Sequence, residues 1–168
     1  MAIEIERRFL VRDTRAAFTD PGVTDWQRIS QGYFGQIEGL RVRVRIVTEA
    51  DDNSRGVLTL KSKRRGPCRL EYEYPLPLGH AERALRSLPE AQIIRKIRYA
   101  IRHHNGLAWL VDRFQGANTG LVLAEVELEH PDLPIELPSW IGEEVTFDRR
   151  YGNSRLARSP MPLLACAA

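Results

Sequence analysis

Apolar and charged residues alternate with a period of two along much of this chain. Residues 40–46 read LRVRVRI, which separates Arg41, Arg43 and Arg45 from the four aliphatic residues around them. Successive side chains of a β-strand point to opposite faces, so this pattern predicts a strand with one apolar and one charged face. The same alternation recurs at residues 4–11, 57–63, 69–74, 93–103, 108–114 and 121–129.

Helical patterns are fewer and shorter than the strand patterns. Asp13 is placed to cap a short helix that ends near residue 18, and residues 79–88 carry apolar residues at helical spacing. A further short helix is expected at residues 153–157. Many antiparallel strands with few helices predict an α+β or all-β fold, either a barrel or a sandwich.

Length and composition suit a single domain in a reducing compartment. The chain has 168 residues, of which 43% are hydrophobic and 28% are charged. No apolar run approaches the roughly 20 residues of a membrane helix, and the first residues do not resemble a secretory signal. The two cysteines are far apart, which does not favour a disulfide scaffold. We predict a cytoplasmic protein with one domain at residues 1–158 and a flexible tail at residues 159–168.

The charges on these strands are sorted by sign. A solvent-exposed strand usually mixes signs, because like charges at neighbouring positions on one face repel. Taken singly, each segment is explained by a solvated face. Five strands nevertheless each carry a row of one sign, namely Glu4/Glu6, Arg41/Arg43/Arg45, Glu71/Glu73, Lys96/Arg98 and Glu125/Glu127/Glu129.

Rows of side chains that carry charges of one sign predict that these faces line an interior cavity and do not face solvent. Adjacent carboxylates become favourable when a hard divalent cation lies between them, since Mg²⁺ and Mn²⁺ prefer oxygen ligands. Rows of arginine and lysine match the oxygens of a phosphate chain. A barrel of about eight strands has an interior that can hold side chains or one small ligand.

The residues that form these rows also carry the motifs of a known family. EIERRFLV at residues 4–11 resembles the ExExK signature of the CYTH domain, or triphosphate tunnel metalloenzyme, family, with Arg8 in the place of the lysine. Further motifs follow in the family's order over nearly the whole chain, namely QGYF at 31–34, LRVR at 40–43, TLK at 59–61, LEYEYPL at 70–76, RKIRY at 95–99, LVDRFQG at 110–116, LAEVELE at 123–129 and IGEEVTFDRRYGNSRLA at 141–157.

The resemblance implies a fold and an activity. The fold would be an α+β eight-stranded antiparallel barrel that forms a tunnel, with a few short helices outside. The activity would be hydrolysis or cyclisation of a small triphosphate compound with Mg²⁺ or Mn²⁺. No nucleic-acid or membrane partner is expected, and a homodimer is compatible with the family.

The resemblance also implies roles for single residues. Metal ligands would be Glu4, Glu6, Asp112, Glu125 and Glu127, with the last three serving a second or bridging metal. Substrate would be held by Arg8, Arg41, Arg43, Lys61, Lys96 and Arg98. The catalytic set would comprise the metal ligands, Arg8 and Tyr33, while Glu71 and Glu73 would support the cations. Arg45, Lys63 and Glu129 lie outside the closest motif matches, with a surface or a supporting role left open.

Several functions share this predicted site. The leading hypothesis is a metal-dependent triphosphatase that acts on inorganic tripolyphosphate or a related short triphosphate. A CYTH-type adenylate cyclase and a thiamine triphosphatase would have the same charged wall. A non-catalytic polyphosphate- or nucleotide-binding module stays open because Arg8, unlike lysine, cannot lose a proton. A nucleic-acid-binding barrel is disfavoured, since such grooves interleave aromatic residues for base stacking.

Overall fold

The computed structural model describes residues 2–63, 68–103, 106–130 and 132–161, without the side chains of residues 2–4 and 68. In this part of the chain there are nine strands, β1 (Ala2–Val11), β2 (Val23–Ile37), β3 (Leu40–Glu49), β4 (Ser54–Lys61), β5 (Cys68–Leu76), β6 (Ile94–Arg102), β7 (Ala108–Gln115), β8 (Val122–Glu127) and β9 (Ile141–Glu144). The helices there are α1 (Thr14–Phe18), α2 (Leu78–Arg86) and α3 (Asn153–Leu156). None of the described helices is long and apolar enough to cross a membrane.

The strands form one antiparallel sheet that curls around an interior. Their order is β5-β4-β3-β2-β6-β7-β8-β1-β9, and β1 also pairs with β5 through four residue pairs. This pairing joins the two ends of an eight-stranded ring, while β9 pairs with the other half of β1. The predicted fold class of many antiparallel strands with few short helices is therefore confirmed.

The predicted elements coincide with observed ones, with two additions. The alternating segments lie in β1 and β3 to β8, and the three predicted helices correspond to α1, α2 and α3. Asp13 caps α1 as expected, since its Oδ1 accepts a bond of 2.9 Å from the Ala16 N–H. Strands β2 and β9 were not predicted. In β2 the face that shares the interior carries neutral residues such as Gln27, Ile29 and Gln31, so no charge alternation marks it.

The outer face of the sheet buries the aliphatic and aromatic residues of the alternation. Trp109 and Val111 of β7 pack with Phe9 of β1 and with Trp140 in one apolar cluster. A second cluster places Val44 of β3 against Ala81 and Leu85 of α2. These contacts turn the opposite face of each strand, with its charged residues, toward the interior.

The inner face is apolar at one end and charged at the other. Phe114 and Leu123 lie two residues from Asp112 and Glu125 on the same faces of β7 and β8, and they pack against Leu156 of α3. Leu156 is completely buried, and burial of such a side chain contributes about 1.5–3 kcal/mol. Helix α3 thus closes the apolar end of the interior, and the charged rows occupy the remainder.

The short strand β9 is attached to β1 by both main-chain and side-chain contacts. The Val145 N–H donates to the Arg8 carbonyl oxygen at 2.7 Å. Arg7, on the outer face of β1, donates through Nε to Glu144 Oε1 at 3.0 Å. The bond from Arg7 holds the pKa of the Glu144 carboxyl below its usual range, against a smaller opposing effect of burial. Glu144 therefore has a structural partner on the outer face.

We predict that Glu144→Gln lowers stability near neutral pH by about 0.5–1 kcal/mol, and that the difference vanishes in acid. A carboxyl whose pKa is lowered by folding stabilises the protein above its ordinary pKa of 4.5 and loses this effect as pH falls through the lowered value. Melting temperatures of both proteins at about pH 7 and about pH 3 test this linkage. A difference that stays the same in acid would contradict it.

Candidate active site

The charged part of the inner face surrounds a cavity of about 1210 Å³. Among the described residues, its lining includes eleven arginines and lysines but only six aspartates and glutamates. Because this positive excess is enclosed by the barrel wall, the cavity is suited to an anion with several charges. The predicted site residues in the lining are Glu6, Arg8, Tyr33, Arg41, Arg43, Lys61, Glu71, Glu73, Arg98, Glu125 and Glu127.

Strand β3 supplies a row of guanidinium groups to this cavity. Arg43 is 8% exposed, and its Nη2 donates to Thr59 Oγ1 at 3.0 Å and to Glu73 Oε1 at 3.1 Å. Arg45 Nη2 donates to the same carboxylate at 2.9 Å. Within the described part of the chain, the Nε atoms of Arg43 and Arg45 are buried without a hydrogen-bond acceptor. Both guanidinium groups line the cavity, so other nitrogen atoms of the two side chains face it.

The neighbouring strands hold this row in position. Lys61 of β4 stands opposite Arg41 in register, and its Nζ lies 2.5 Å from Glu71 Oε2 on β5. Glu73 bridges Arg43 and Arg45. Burial and the neighbouring charge of Arg43 lower the pKa of Arg45 to about 10. Glu71 and Glu73 thus lie against the cations of this row, and their supporting role stays a prediction.

Arg8 lies between two carboxylates on the opposite wall. Its Nε donates to Glu125 Oε1 at 2.8 Å, and its Nη2 donates to Glu6 Oε1 at 2.7 Å. Burial opposes the charge of Arg8, but Glu125 and Glu6 outweigh it and raise the pKa of the guanidinium. Arg8 therefore joins the two carboxylates through two different nitrogen atoms of one rigid, planar guanidinium.

A buried ionic cluster lies behind this wall. Asp112 is 1% exposed, and its oxygens accept from Arg98 Nε and Nη2, both at 2.7 Å, and from Lys96 Nζ at 2.5 Å. Arg98 Nη2 also donates to Glu125 Oε2 at 2.8 Å. Burial would raise the pKa of Glu125, but Arg8, Arg98 and Lys96 hold it well below its usual range. The carboxylate is therefore ionised.

Lys96 and Asp112 differ from the other predicted residues in position. Both belong to the inner face, but neither lines the cavity, since Lys96 is 2% exposed beneath the Arg98 layer. Burial, together with repulsion from Arg98, lowers the pKa of Lys96 to about 8. Lys96 thus reaches Asp112 and not the open volume.

Tyr33 of β2 lies at the boundary between the cavity and the apolar end. Its hydroxyl oxygen accepts a bond of 3.1 Å from Gln31 Nε2. Burial raises the pKa of this phenol, and the nearby cations Arg43, Arg69 and Arg8 only partly offset the effect. Tyr33 is therefore neutral near pH 7, able to donate a hydrogen bond.

A barrel whose cavity is lined by an excess of arginines and lysines agrees with the predicted resemblance. A family model described as the CYTH domain matches residues 2–159, nearly the whole chain. The chain belongs to the CYTH domain family.

Individual relatives support the same assignment. The chain is 41% identical over 160 residues to an inorganic triphosphatase of Acetivibrio thermocellus, covering 95% of this chain and 96% of the relative. It is 35% identical over 159 residues to an inorganic triphosphatase of Nitrosomonas europaea, covering 93% and 97% of the two chains. A crystal structure of an inorganic triphosphatase is similar with a TM-score of 0.65 at 32% identity, covering 95% of this chain and 99% of the other.

Triphosphate tunnel metalloenzymes of the CYTH family are in general metal-dependent. Glu6 and Glu127 are register partners on β1 and β8, and both line the cavity. Cβ atoms in such positions lie about 4.5–5.5 Å apart, and carboxylate oxygens are the ligands that Mg²⁺ and Mn²⁺ prefer. Glu6 and Glu127 would therefore supply carboxylate oxygens to such a cation.

The remaining predicted ligands do not add to this pair in the described structure. No group of three or more His, Cys, Asp or Glu side chains placed to hold a metal occurs among the described residues. The backbone of Glu4 belongs to β1, but its side chain is not among those that the structure describes. Asp112 and Glu125 accept bonds from the cations described above, and a second metal at these residues stays a prediction.

The cavity of this CYTH domain also contains residues that were not predicted. Arg69 of β5 lines it, with its Nη2 3.4 Å from Glu6 Oε2. The alternation around Glu71 would have located Arg69, since it shares that face. Arg45 and Lys63, whose roles the sequence left open, line the cavity as well. A third group comes from the C-terminal segment, namely Arg149, Ser154, Arg155 and Arg158. The first three lie in the motif at residues 141–157, but no site role had been assigned to them.

Proposed function

We propose that this CYTH domain protein is a metal-dependent inorganic triphosphatase that converts tripolyphosphate and water to pyrophosphate and orthophosphate. The observation that carries the proposal is the cavity in the barrel, in which arginines and lysines outnumber carboxylates and two carboxylates stand opposed. A linear polyanion that brings a divalent metal matches both features. The full-length similarity to two proteins named inorganic triphosphatase supports the same substrate.

The arginines of β3 and the lysine of β4 bind the phosphate chain. Arg41 donates to Ser154 Oγ at 2.7 Å, Arg43 donates to Thr59 and Glu73, and Lys61 pairs with Glu71. Because these side chains are already ordered, little conformational entropy is lost when they bind phosphate oxygens. Arg45 also lines the cavity and adds a further positive charge beside Arg43. These residues hold the leaving pyrophosphate and stabilise the charge that develops on it.

The opposite wall orients the metal-binding carboxylates and the terminal phosphate. We propose that Glu4, Glu6 and Glu127 hold Mg²⁺ or Mn²⁺, which would neutralise phosphate oxygens and lower the pKa of a bound water. Arg8 keeps its proton and fixes the carboxylates of Glu6 and Glu125 through its two bonds. In the reaction the water oxygen forms a bond to the terminal phosphorus, the bond to the pyrophosphate oxygen breaks, and one proton passes to solvent.

Arg98 contributes from the boundary of the cavity. Its guanidinium is fixed by Asp112 and Glu125 on one side and lines the cavity on the other. This arrangement leaves Arg98 oriented toward a phosphate without rearrangement during the reaction. Lys96 and Asp112 then act behind it as positioning residues. A cytoplasmic location, a homodimer and the absence of nucleic-acid partners stay predictions.

A panel of triphosphates tests the proposed function. We predict that the purified protein with Mg²⁺ or Mn²⁺ releases orthophosphate from tripolyphosphate, and does so faster than from ATP or thiamine triphosphate. An Arg8→Lys variant measured beside it shows whether arginine at this position limits the rate. Cyclic AMP and pyrophosphate from ATP would instead identify an adenylate cyclase. Tight tripolyphosphate binding without any product, in both proteins and with either metal, would identify a binding module.

A further inference from the structure

One aromatic side chain at the cavity is not explained by packing. Phe147 lines the cavity and is 71% exposed, the highest value among the large hydrophobic residues that the structure shows as exposed. Val145 and Tyr151, close to it in sequence, are 4% and 7% exposed and belong to the apolar cluster around α3. An aromatic ring that is exposed to water while its neighbours are buried does not add the hydrophobic stabilisation that its burial would give the fold.

The position of this ring is fixed by the backbone on both sides. The Asp148 N–H donates to the Val145 carbonyl oxygen at 3.1 Å, which closes a tight turn with Phe147 inside it. The turn is attached to β1, because the Val145 N–H donates to the Arg8 carbonyl oxygen at 2.7 Å and the Arg8 N–H donates to Thr146 Oγ1 at 3.0 Å. Phe147 is therefore presented beside the cavity from an anchored turn.

An inorganic phosphate chain gains nothing from an apolar ring. The cavity volume of about 1210 Å³ also exceeds the roughly 300–1,000 Å³ of ordinary small-molecule sites, so a triphosphate with an attached organic group fits. Aromatic side chains beside a phosphate-binding groove stack on nucleic-acid bases through their π-faces, with little preference for base identity.

We propose that Phe147 is a specificity-determining residue that stacks on the base of a nucleoside triphosphate whose phosphates occupy the cationic cavity. The proposal rests on the function proposed above, since it uses the same phosphate site. Nucleoside triphosphates then bind more tightly than their phosphates alone predict, and the extra affinity comes from the base. Because the contact is one-sided and lies at the rim, base identity has little influence on it.

Comparison of ATP with ribose 5-triphosphate, which lacks the base, isolates this contact. Dissociation constants of both compounds and of tripolyphosphate are measured by calorimetry with Mg²⁺, for wild type, Phe147→Ala and Phe147→Trp. We expect Phe147→Ala to weaken ATP binding about fivefold and to leave ribose 5-triphosphate and tripolyphosphate unchanged. Phe147→Trp, which keeps an aromatic face, should bind ATP at least as tightly as wild type.

A matched control replaces an exposed apolar residue that does not line the cavity. Leu137 is 46% exposed and outside the cavity lining, so Leu137→Ala should bind all three compounds as wild type does. Equal affinity of wild type for ATP and ribose 5-triphosphate, or equal weakening of all three compounds by Phe147→Ala, would overturn the proposal. Absence of tripolyphosphate hydrolysis with base-dependent ATP binding intact would refute the proposed function alone.

Discussion

Replacement of Glu6 by glutamine is expected to lower the rate of tripolyphosphate hydrolysis by about 100-fold or more, while the barrel remains folded. Glu6 is 4% exposed, stands opposite Glu127 in register, and accepts bonds from Arg8 at 2.7 Å and from Arg69 at 3.4 Å. Glutamine keeps the size of the side chain but removes the negative charge. With the proposed role of Glu6, the metal would lose a ligand, and Arg8 and Arg69 would lose one of the anions that they contact.

The measurement is kcat and KM for tripolyphosphate over a range of Mg²⁺ concentrations. A metal-binding role predicts that higher Mg²⁺ partly restores the rate of Glu6→Gln, which a purely structural role would not do. Glu129→Gln is the matched control, because Glu129 is exposed and lies outside the cavity lining. Equal loss of activity in both variants, or a Glu6→Gln protein that is already unfolded at the assay temperature, would contradict the assignment.

Replacement of Asp112 by asparagine is expected to destabilise the protein by about 3–5 kcal/mol, which corresponds to about 6–20 °C in melting temperature for a chain of this size. Asp112 compensates Lys96 and Arg98, which lie at 2.5 Å and 2.7 Å from its oxygens. Asparagine fills the same space but leaves Lys96 and Arg98 in a poorly solvated cluster. Glu125 then remains as a counter-charge to both cations, and Glu6 as a further one to Arg98. The loss of one partner is more costly than the loss of the whole group.

Two further variants make this prediction specific. Glu82→Gln breaks an exposed pair on α2, with Glu82 Oε2 and Arg86 Nη1 3.7 Å apart, and should cost less than about 0.5 kcal/mol. A double variant, Asp112→Leu with Lys96→Met, removes charges of both signs and should recover part of the stability lost in Asp112→Asn. A melting temperature of Asp112→Asn within about 2 °C of wild type would show that Asp112 does not make this contribution to stability.

The alternation of residues was sufficient to assign the faces of most strands. In β3, β6 and β8 the period of two admits only one orientation that buries the aliphatic residues, and the charged rows consequently point inward. The same reasoning did not detect β2, because Gln27 and Gln31 on its inner face are neutral. It did not detect β9, whose four residues are too few for a periodic pattern.

The chain by itself therefore determined which side chains share the interior and that they are sorted by sign, because these properties follow from strand geometry and local order. Only the tertiary structure decided how deeply each of these side chains is buried. Asp112 and Glu127 share the inner face, yet the first is sealed behind Arg98 and the second lines the cavity. The arginines of the C-terminal segment and the ring of Phe147 join the site from more than a hundred residues beyond β1. Phe147 is positioned by the bonds of its turn to β1, and the arginines around α3 by the packing of this helix against the apolar end of the barrel. Both are contacts between segments that are distant in sequence.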